Sequence, residues 1–299
     1  MKKLLICFLI IVCSIACREL VQDEFPALEP IPVINCILVA DSVIKVHVSL
    51  TGSLDTSRLT IVNNAIIRLF IDDQYEETIP LQMDGIYRSN AIAEPLKTYS
   101  CEISVPGYPV INCRDSIPEP SILTDIIHIN QAGIDEEGTS YPAIKFNFSV
   151  YPDQMQYFEA VIWLLKEGSV RIAQLEEISD PVLLNEGIPV AAFSNELIEN
   201  DTYTMTINYT TGSASSTNSS AWVTELYPCI FELRSISFDY YQYVKQLYLY
   251  EQGRYPEFIG SSLSTYQLYS NIDDGYGIFA GYSSVRSDTI FPDPYIINK

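Results

Sequence analysis

Along residues 32–118 the sequence alternates repeatedly between apolar and polar positions. In VIKVHVSL, residues 43–50, every even-numbered residue is apolar, whereas Lys45, His47 and Ser49 are polar. A period of two is typical of a β-strand that buries one face. Turn-forming Asp, Gly and Pro residues separate similar runs at 65–71, 77–81, 98–105 and 110–117. Roughly six or seven short strands without a helical repeat are typical of an Ig-like sandwich, so we predict an Ig-like β-sandwich over residues 32–118.

A proline-rich stretch, Pro118-Glu119-Pro120, marks the end of this block. Proline lacks the N–H that a strand ladder needs, so we place a domain boundary there and assign residues 119–299 to a second domain. Strand-like runs continue in that part at 126–131, 143–151, 158–166, 277–285 and 288–291. The second domain is therefore predicted to be β-rich as well.

One segment of the second domain changes to a helical period. In SFDYYQYVKQLYLYE, residues 237–251, apolar and aromatic residues recur at spacings of three and four; they are Tyr240, Val244, Leu247 and Tyr248. Ser237 can cap the first turn, and Asp239 suits the positive end of the helix dipole. The pattern predicts one α-helix near residues 238–251, with its tyrosines packed against a sheet. The predicted fold class is mainly β, an Ig-like sandwich followed by a β-rich domain with one helix.

The start of the chain indicates where the protein is located. An apolar run from Leu4 to Ile15 has the length of a signal-peptide core and is shorter than the roughly 20 residues of a membrane-spanning helix. Small residues then lead directly to Cys17, a pattern that resembles the bacterial lipoprotein box, although Ser14 stands where leucine is usual. We predict a signal peptide over residues 1–16 and a lipidated Cys17 that anchors the chain to a membrane. The alternative is an ordinary secretory signal in which Cys17 is incidental.

Residues 17–31 combine the lipidated cysteine with an acidic, proline-containing stretch, which we interpret as a linker. Within it, Gln22-Asp23-Glu24 is a partial match to the surface-export signal of Bacteroidota lipoproteins. A solvated acidic linker would have the same composition. Together with the lipid anchor, the match predicts an outer-membrane lipoprotein exposed at the cell surface, with the periplasmic face as the alternative.

The overall charge limits the class of partner. The chain has 17 Lys and Arg against 38 Asp and Glu, which gives a formal net charge of −21. Such a surface repels phosphate backbones, so nucleic acid is excluded as a partner. The hydrophobic share of 47% is enough for a sizeable core.

Four cysteines remain once the signal peptide and Cys17 are set aside: Cys36, Cys101, Cys113 and Cys229. An exported protein permits disulfides, and four cysteines allow three full pairings. Cys101 and Cys113 flank the turn-forming stretch VPGYP and are candidates for a disulfide across a hairpin. Directly cross-strand disulfides are strained, so buried free thiols are the favoured alternative. The chain has only two histidines and no Cys-x-x-Cys, so we predict no zinc site.

Several stretches resemble one known family. They are PVINC at 32–36 followed by the strand at 43–50, Asn64-Ala65 with DGIY at 84–87 and Thr98-Tyr99, and SNIDDGYGIF at 270–279. Together they resemble the Bacteroidota lipoproteins grouped as domain of unknown function 4249 (DUF4249), over nearly the whole mature chain. Cys36 stands where the family more often has glycine. The resemblance implies outer-membrane lipoproteins that are commonly encoded beside TonB-dependent transporters, and it implies no catalytic residues.

The stretch 270–279 is the most specific of these. Asn271 and Asp274 around Gly275 suit a turn with positive backbone angles, and Gly277 would let the chain run close to a neighbour. Ile278 and Phe279 are then expected to enter the core. As an alternative, the oxygens of Asn271, Asp273 and Asp274 could bind calcium, which prefers carboxylate and amide ligands. No other cofactor is predicted.

Three Asp-Ser/Thr-apolar triplets resemble the O-glycosylation sites of exported proteins in this bacterial group. Their acceptor residues are Ser42, Ser116 and Thr289. In a chain so rich in Asp and Ser, one or two such triplets also arise by chance.

Three functions compete. The first is a non-catalytic binding accessory to a TonB-dependent transporter, which holds a small ligand, a glycan or a peptide. The second is a structural or adhesin role at the cell surface. The third is a glycan or peptide hydrolase using adjacent acids such as Asp72-Asp73 or Glu176-Glu177, but the chain has no Gly-x-Ser-x-Gly and no His-Glu-x-x-His. We predict a binding protein rather than an enzyme.

Overall fold

The computed structural model describes residues 29–52, 59–216, 222–253 and 267–292. The first ten strands are β1 (Pro32–Val39), β2 (Val43–Leu50), β3 (Thr60–Ile61), β4 (Ile66–Ile71), β5 (Gln74–Ile79), β6 (Leu81–Met83), β7 (Ile86–Ile92), β8 (Thr98–Ser104), β9 (Ile111–Ser116) and β10 (Leu123–Ile134). The others are β11 (Thr139–Ser149), β12 (Tyr157–Lys166), β13 (Ser169–Ile172), β14 (Gln174–Leu175), β15 (Ala192–Ser194), β16 (Thr202–Thr210), β17 (Ala214–Ser216), β18 (Trp222–Thr224), β19 (Cys229–Ile236) and β20 (Tyr276–Arg286). The helices are α1 (Pro181–Asn185) and α2 (Phe238–Gly253). The predicted signal peptide and Cys17 lie outside the described residues.

A ten-stranded sheet runs through both halves of the chain. Its main order is β13-β12-β19-β20-β1-β2-β7-β6, with β15 beside β12 and β3 beside β2. Strand β20 pairs in parallel with β1, so that Cys36 lies opposite Phe279. A strand from the C-terminal part of the chain is therefore a neighbour of the first strand, and the two halves share one sheet.

The N-terminal half of this sheet forms a sandwich with a second, four-stranded sheet of order β5-β4-β8-β9. Their facing side chains, among them Ile34, Val46 and Ile67, form one buried core. The alternating apolar positions fill it, as the period of two predicts. Ile272 and Phe279 belong to the same core. The boundary placed at Pro118–Pro120 therefore does not separate two independent units, because residues from near the C-terminus complete the first sandwich.

A six-stranded sheet covers the other half of the large sheet. Its order is β14-β16-β11-β18-β17, with β10 beside β11. The core between them is aromatic and includes Phe146, Phe148, Phe158, Phe193 and Phe231. Register places both cores on the same face of the large sheet, because Leu233 of this core lies opposite Val285, on the same side of β20 as Phe279.

Helix α2 lies on the opposite face and confirms the predicted helix near 238–251. The Ser237 hydroxyl accepts the N–H of Tyr240 at 3.2 Å, which caps the first turn. Tyr241 is the buried residue of the helix, and Tyr240, Val244 and Tyr248 pack partly against the same cluster. The predicted stripe is thus correct except for Leu247, which lies outside this cluster, and for Tyr241, which the spacing missed.

Two short elements differ from the sequence prediction. Helix α1 spans only five residues and is capped by Asp180, which accepts the N–H of Val182 at 3.0 Å. So short a helix leaves no periodic pattern. The run predicted as a strand at 288–291 forms only an isolated bridge between Ile290 and Cys229.

Cys101 and Cys113 lie directly opposite each other on β8 and β9, as their spacing around the turn predicts. They do not form a disulfide in this structure, since all four cysteines of the described residues are buried free thiols. The Cys113 thiol instead donates to the carbonyl oxygen of Cys101 at 3.7 Å. Burial raises the pKa of the Cys229 thiol to about 11 and also raises the pKa of Cys36. These thiols act as apolar core groups.

Candidate functional site

The family-like stretch 270–279 forms a tight turn that leads into β20. Asp274 has a φ of +57° and Gly277 a φ of +117°. A Cβ on Gly277 would lie 1.9 Å from the carbonyl oxygen of Ile34, so glycine lets β20 approach β1 at this point. Ile278 and Phe279 are buried. The predicted turn is confirmed, but of its residues Asp274 and Gly277 have a positive φ, whereas Asn271 and Gly275 do not.

Hydrogen bonds of the Asn271 side chain stabilise this turn. Its amide oxygen accepts the N–H of Phe279 at 2.9 Å, and its amide nitrogen donates to the carbonyl oxygen of Phe279 at 2.7 Å and to the Asp239 carboxylate at 2.9 Å. Asp273 and Asp274 are exposed. Within the described ranges, no group of three or more His, Cys, Asp or Glu side chains is placed to hold a metal ion. The bonds to Phe279 and Asp239 give Asn271 a structural role.

A polar cleft of about 480 Å³ lies beside the turn. On one side it is bounded by Asp239 at the start of α2 and by Asn271 and Asp273 of the turn. On the other side it is bounded by side chains of the four-stranded sheet and its β4–β5 turn. The lining residues from that side are Phe70, Asp73, Ser100, Cys101, Glu102, Asn112, Cys113 and Arg114.

The charged groups of the cleft are held in place by their neighbours. Arg114 pairs with Asp73 at 2.5 Å, and hydrogen bonding from its guanidinium lowers the pKa of that carboxyl. Glu102 pairs with Arg68. The Tyr269 hydroxyl donates to Asp239 at 2.5 Å. Four carboxylates and one guanidinium give the lining a net charge of −3, so the cleft presents mainly hydrogen-bond acceptors.

Asp115 connects the cleft wall to the core. Its carboxylate accepts the N–H of Gly281 at 2.8 Å and joins β9 to β20. Burial raises its pKa from 3.8 to about 6, although hydrogen bonds from Ser237 and from backbone N–H groups oppose the shift. The nearby charge of Asp239 raises it further. At neutral pH the ionised Asp115 carboxylate therefore destabilises the folded protein.

We expect Asp115→Asn to stabilise the protein at pH 8 by up to about 2 to 3 kcal/mol. The pKa of Asp115 is higher in the folded protein than in the unfolded chain. The free energy of unfolding of the wild type therefore falls as the pH rises from about 4 to about 6, and this contribution does not change further at higher pH. Urea unfolding between pH 4 and 8 measures the effect. The difference between the variant and the wild type should vanish near pH 4. A difference that is independent of pH would contradict this account, and exposed Asp153→Asn serves as the control.

The other predicted site residues are dispersed. Ser42 and Ser116 are exposed and Thr289 is half-buried; their glycosylation stays a prediction. Asp72 and Asp73 form the β4–β5 turn with positive φ, and each pairs with a different cation.

Sequence reasoning missed a charged cluster on the α2 face of the large sheet. Glu232 is fully buried and accepts from the Trp163 indole N–H at 2.7 Å. Arg234 pairs with Glu159 at 2.7 Å and with Glu232 at 3.3 Å, and its guanidinium lies over the Tyr282 ring. The alternation of Glu232 and Arg234 within the apolar strand CIFELRSI was the signal for it. In strand β19 one face is aromatic core and the other is this cluster.

The comparisons with known proteins bear on the family. The model of the family described as Domain of unknown function (DUF4249) matches residues 18–288. The chain belongs to the DUF4249 family. The match begins directly after Cys17 and includes the 270–279 turn and every residue that lines the polar cleft. The cleft of this DUF4249 protein therefore lies within the region that the family model covers.

No curated protein matches this DUF4249 chain. Among solved structures, it matches one from Corynebacterium diphtheriae described as a "Putative membrane anchored protein", with 10% identity and a TM-score of 0.21. The match covers 70% of this chain and 55% of that one, so the chain spans about half the length of that protein. No helix within the described ranges of the DUF4249 chain is long and apolar enough to cross a membrane.

Proposed function

We propose that this chain is a lipid-anchored, non-catalytic binding protein of the bacterial outer membrane. It binds a ligand in the polar cleft beside the 270–279 turn and serves as an accessory to a TonB-dependent transporter. The observation that carries the proposal is the cleft itself, in which neighbouring groups already position the carboxylates of Asp73, Glu102 and Asp239 and the amide of Asn271. Binding sites of this kind use a few placed polar groups to orient a ligand.

The chemistry of the lining defines the ligand class. Carboxylate oxygens of Asp73, Asp239 and Asp273 accept hydrogen bonds, while Asn112 and Arg114 supply donors. The Phe70 ring adds an apolar contact. A ligand rich in hydroxyl or N–H groups, such as a glycan or a peptide, satisfies these groups best.

The anchor and the transporter are supported by the sequence. The apolar run that ends in Cys17 has the form of a lipoprotein signal, and the family resemblance implies genes placed beside TonB-dependent transporters. Affinity purification of the full lipidated chain from native outer membranes is expected to recover such a transporter. Recovery of the chain without any transporter would contradict the accessory role.

Ligand binding is tested with a panel of glycans and peptides, using a thermal-shift assay. We expect Asp273→Ala to weaken binding of a panel ligand about tenfold or more, because a hydrogen bond to a charged group is worth about 1.5–3 kcal/mol. Asn185→Ala, on the exposed end of α1 and remote from the cleft lining, is the matched control. Turnover of a panel substrate that a single carboxylate substitution abolishes would favour the hydrolase instead.

A further inference from the structure

A second cleft, of about 760 Å³, is lined by the next residues of the same turn, Asp274, Gly275 and Tyr276. It is lined by the first described residues of the chain, Glu29 to Pro32, and by Tyr108, Asp274 and Tyr276. Half of the ten lining residues are proline, tyrosine or isoleucine and two are acidic, whereas the first cleft is lined by five charged residues. This second cleft lies where the acidic linker joins the folded chain.

Apolar side chains continue around this end of the molecule. The N–H of Thr51 donates to the carbonyl oxygen of Ile31 at 2.8 Å, and the short strand β3 pairs with the end of β2, which brings Ile61 opposite Ser49. Ile31, Leu59, Ile61, Val110 and Tyr276 are 36% to 62% exposed. With Tyr108 they form one group, which we name the linker end: Ile31, Leu59, Ile61, Tyr108, Val110 and Tyr276.

The length of the linker keeps this end near the anchor. Glu29 lies twelve positions after Cys17, and at about 3.5 Å per residue this stretch spans at most about 40 Å. Every other part of the folded chain is attached to the membrane through the linker end. Tyrosine and aliphatic side chains together are typical of surfaces at a membrane–water interface, because the rings have an apolar body and a polar tip.

We propose that the linker end rests on the lipid surface, with Tyr108 and Tyr276 at the headgroup level. The proposal rests on the lipid anchor of the proposed function. Glu29 and Asp274 border the same cleft, so the preferred surface is zwitterionic rather than anionic.

Bromine quenching of tryptophan fluorescence tests the contact. The mature chain is coupled through the Cys17 thiol to a maleimide phospholipid, since all four cysteines of the described residues are buried. It is placed on phosphatidylcholine vesicles with brominated acyl chains. The variants Tyr108→Trp and Tyr276→Trp each add one indole to the parental Trp163 and Trp222. Val170→Trp is the matched control, because Val170 is 61% exposed on β13, an edge strand of the large sheet separated from β1 and β2 by other strands.

We expect the added fluorescence of Tyr108→Trp and Tyr276→Trp to be quenched about twofold or more relative to Val170→Trp, as for indoles at the interface. Equal quenching at all three positions would overturn the proposal. A blue-shifted but unquenched indole at both tyrosine positions would also overturn it, since protein would then cover the surface. Because the lipid is attached chemically, the outcome is independent of whether cells acylate Cys17.

Discussion

Gly277→Ala is expected to destabilise the protein by about 3 to 5 kcal/mol. The φ of +117° is a region that residues with a Cβ rarely adopt, and the new Cβ would lie 1.9 Å from the carbonyl oxygen of Ile34. Backbone atoms cannot yield as a flexible side chain can, so β1 and β20 must separate. Because this parallel pair joins the two halves of the chain, the loss affects the whole large sheet. Urea unfolding of the variant against the wild type measures the effect.

Gly168→Ala separates the two causes of this loss. Gly168 also has a positive φ, +74°, but an added Cβ there would have no neighbour within 4 Å. This control should cost only about 1 to 2 kcal/mol, from backbone strain alone. A loss at Gly277 no larger than the loss at Gly168 would show that the close approach of β20 to β1 is not important for stability.

The second large effect concerns the buried charges on the α2 face. We expect Arg234→Met to cost about 3 to 5 kcal/mol, because removing one partner of a buried ion pair leaves a charge without compensation. Glu232 is fully buried and would keep only Arg286, at 3.2 Å, as an ionic partner among the described residues. Glu159 would lose its partner at 2.7 Å. Chemical unfolding at neutral pH measures the loss.

Two further variants define the cause. Arg68→Met breaks the pair with Glu102 on the exposed face of the four-stranded sheet, where the side chains are 52% and 38% exposed, and should cost less than about 1 kcal/mol. Adding Glu232→Gln to Arg234→Met should recover part of the loss, since it removes a fully buried carboxylate that Arg234→Met leaves with Arg286 as its remaining ionic partner among the described residues. Equal losses for Arg234→Met and Arg68→Met would contradict a role for burial.

Local features of the fold followed from the sequence because they depend on neighbours in the chain. Alternation located β2, β4 and β8, and the spacing of tyrosines located α2 with Ser237 as its cap. The turn at 270–279 followed from residues with a preference for positive φ. Helix α1 was missed because its five residues make little more than one turn.

Long-range pairing could not be read in the same way. The boundary at Pro118 is a sensible inference from proline chemistry, yet β20 returns to pair with β1 across more than half of the chain. The sequence pattern correctly predicted that Phe279 is a core residue, but it did not show which core cluster contains this side chain. An alternating pattern indicates that one face of a strand is buried, but it does not identify the strand that pairs with it.

The cleft was beyond prediction for the same reason. Asn271 and Asp273 were singled out by their residue types, but Asp239, Asn112 and Arg114 come from separate elements that only the shared sheet brings together. The sequence also left the role of Asn271 open between a turn and a calcium ligand. Its hydrogen bonds to Phe279 and Asp239 show what it does in the fold.

The most direct test of a membrane-tethered binding protein is the chemistry of its first mature residue. Intact-mass and peptide mass spectrometry of the protein purified from native membranes should find a chain that begins at Cys17, with acyl groups on its thiol and amino terminus. A mature chain that begins elsewhere, or an unmodified Cys17 on a protein recovered free of membranes, would contradict the account.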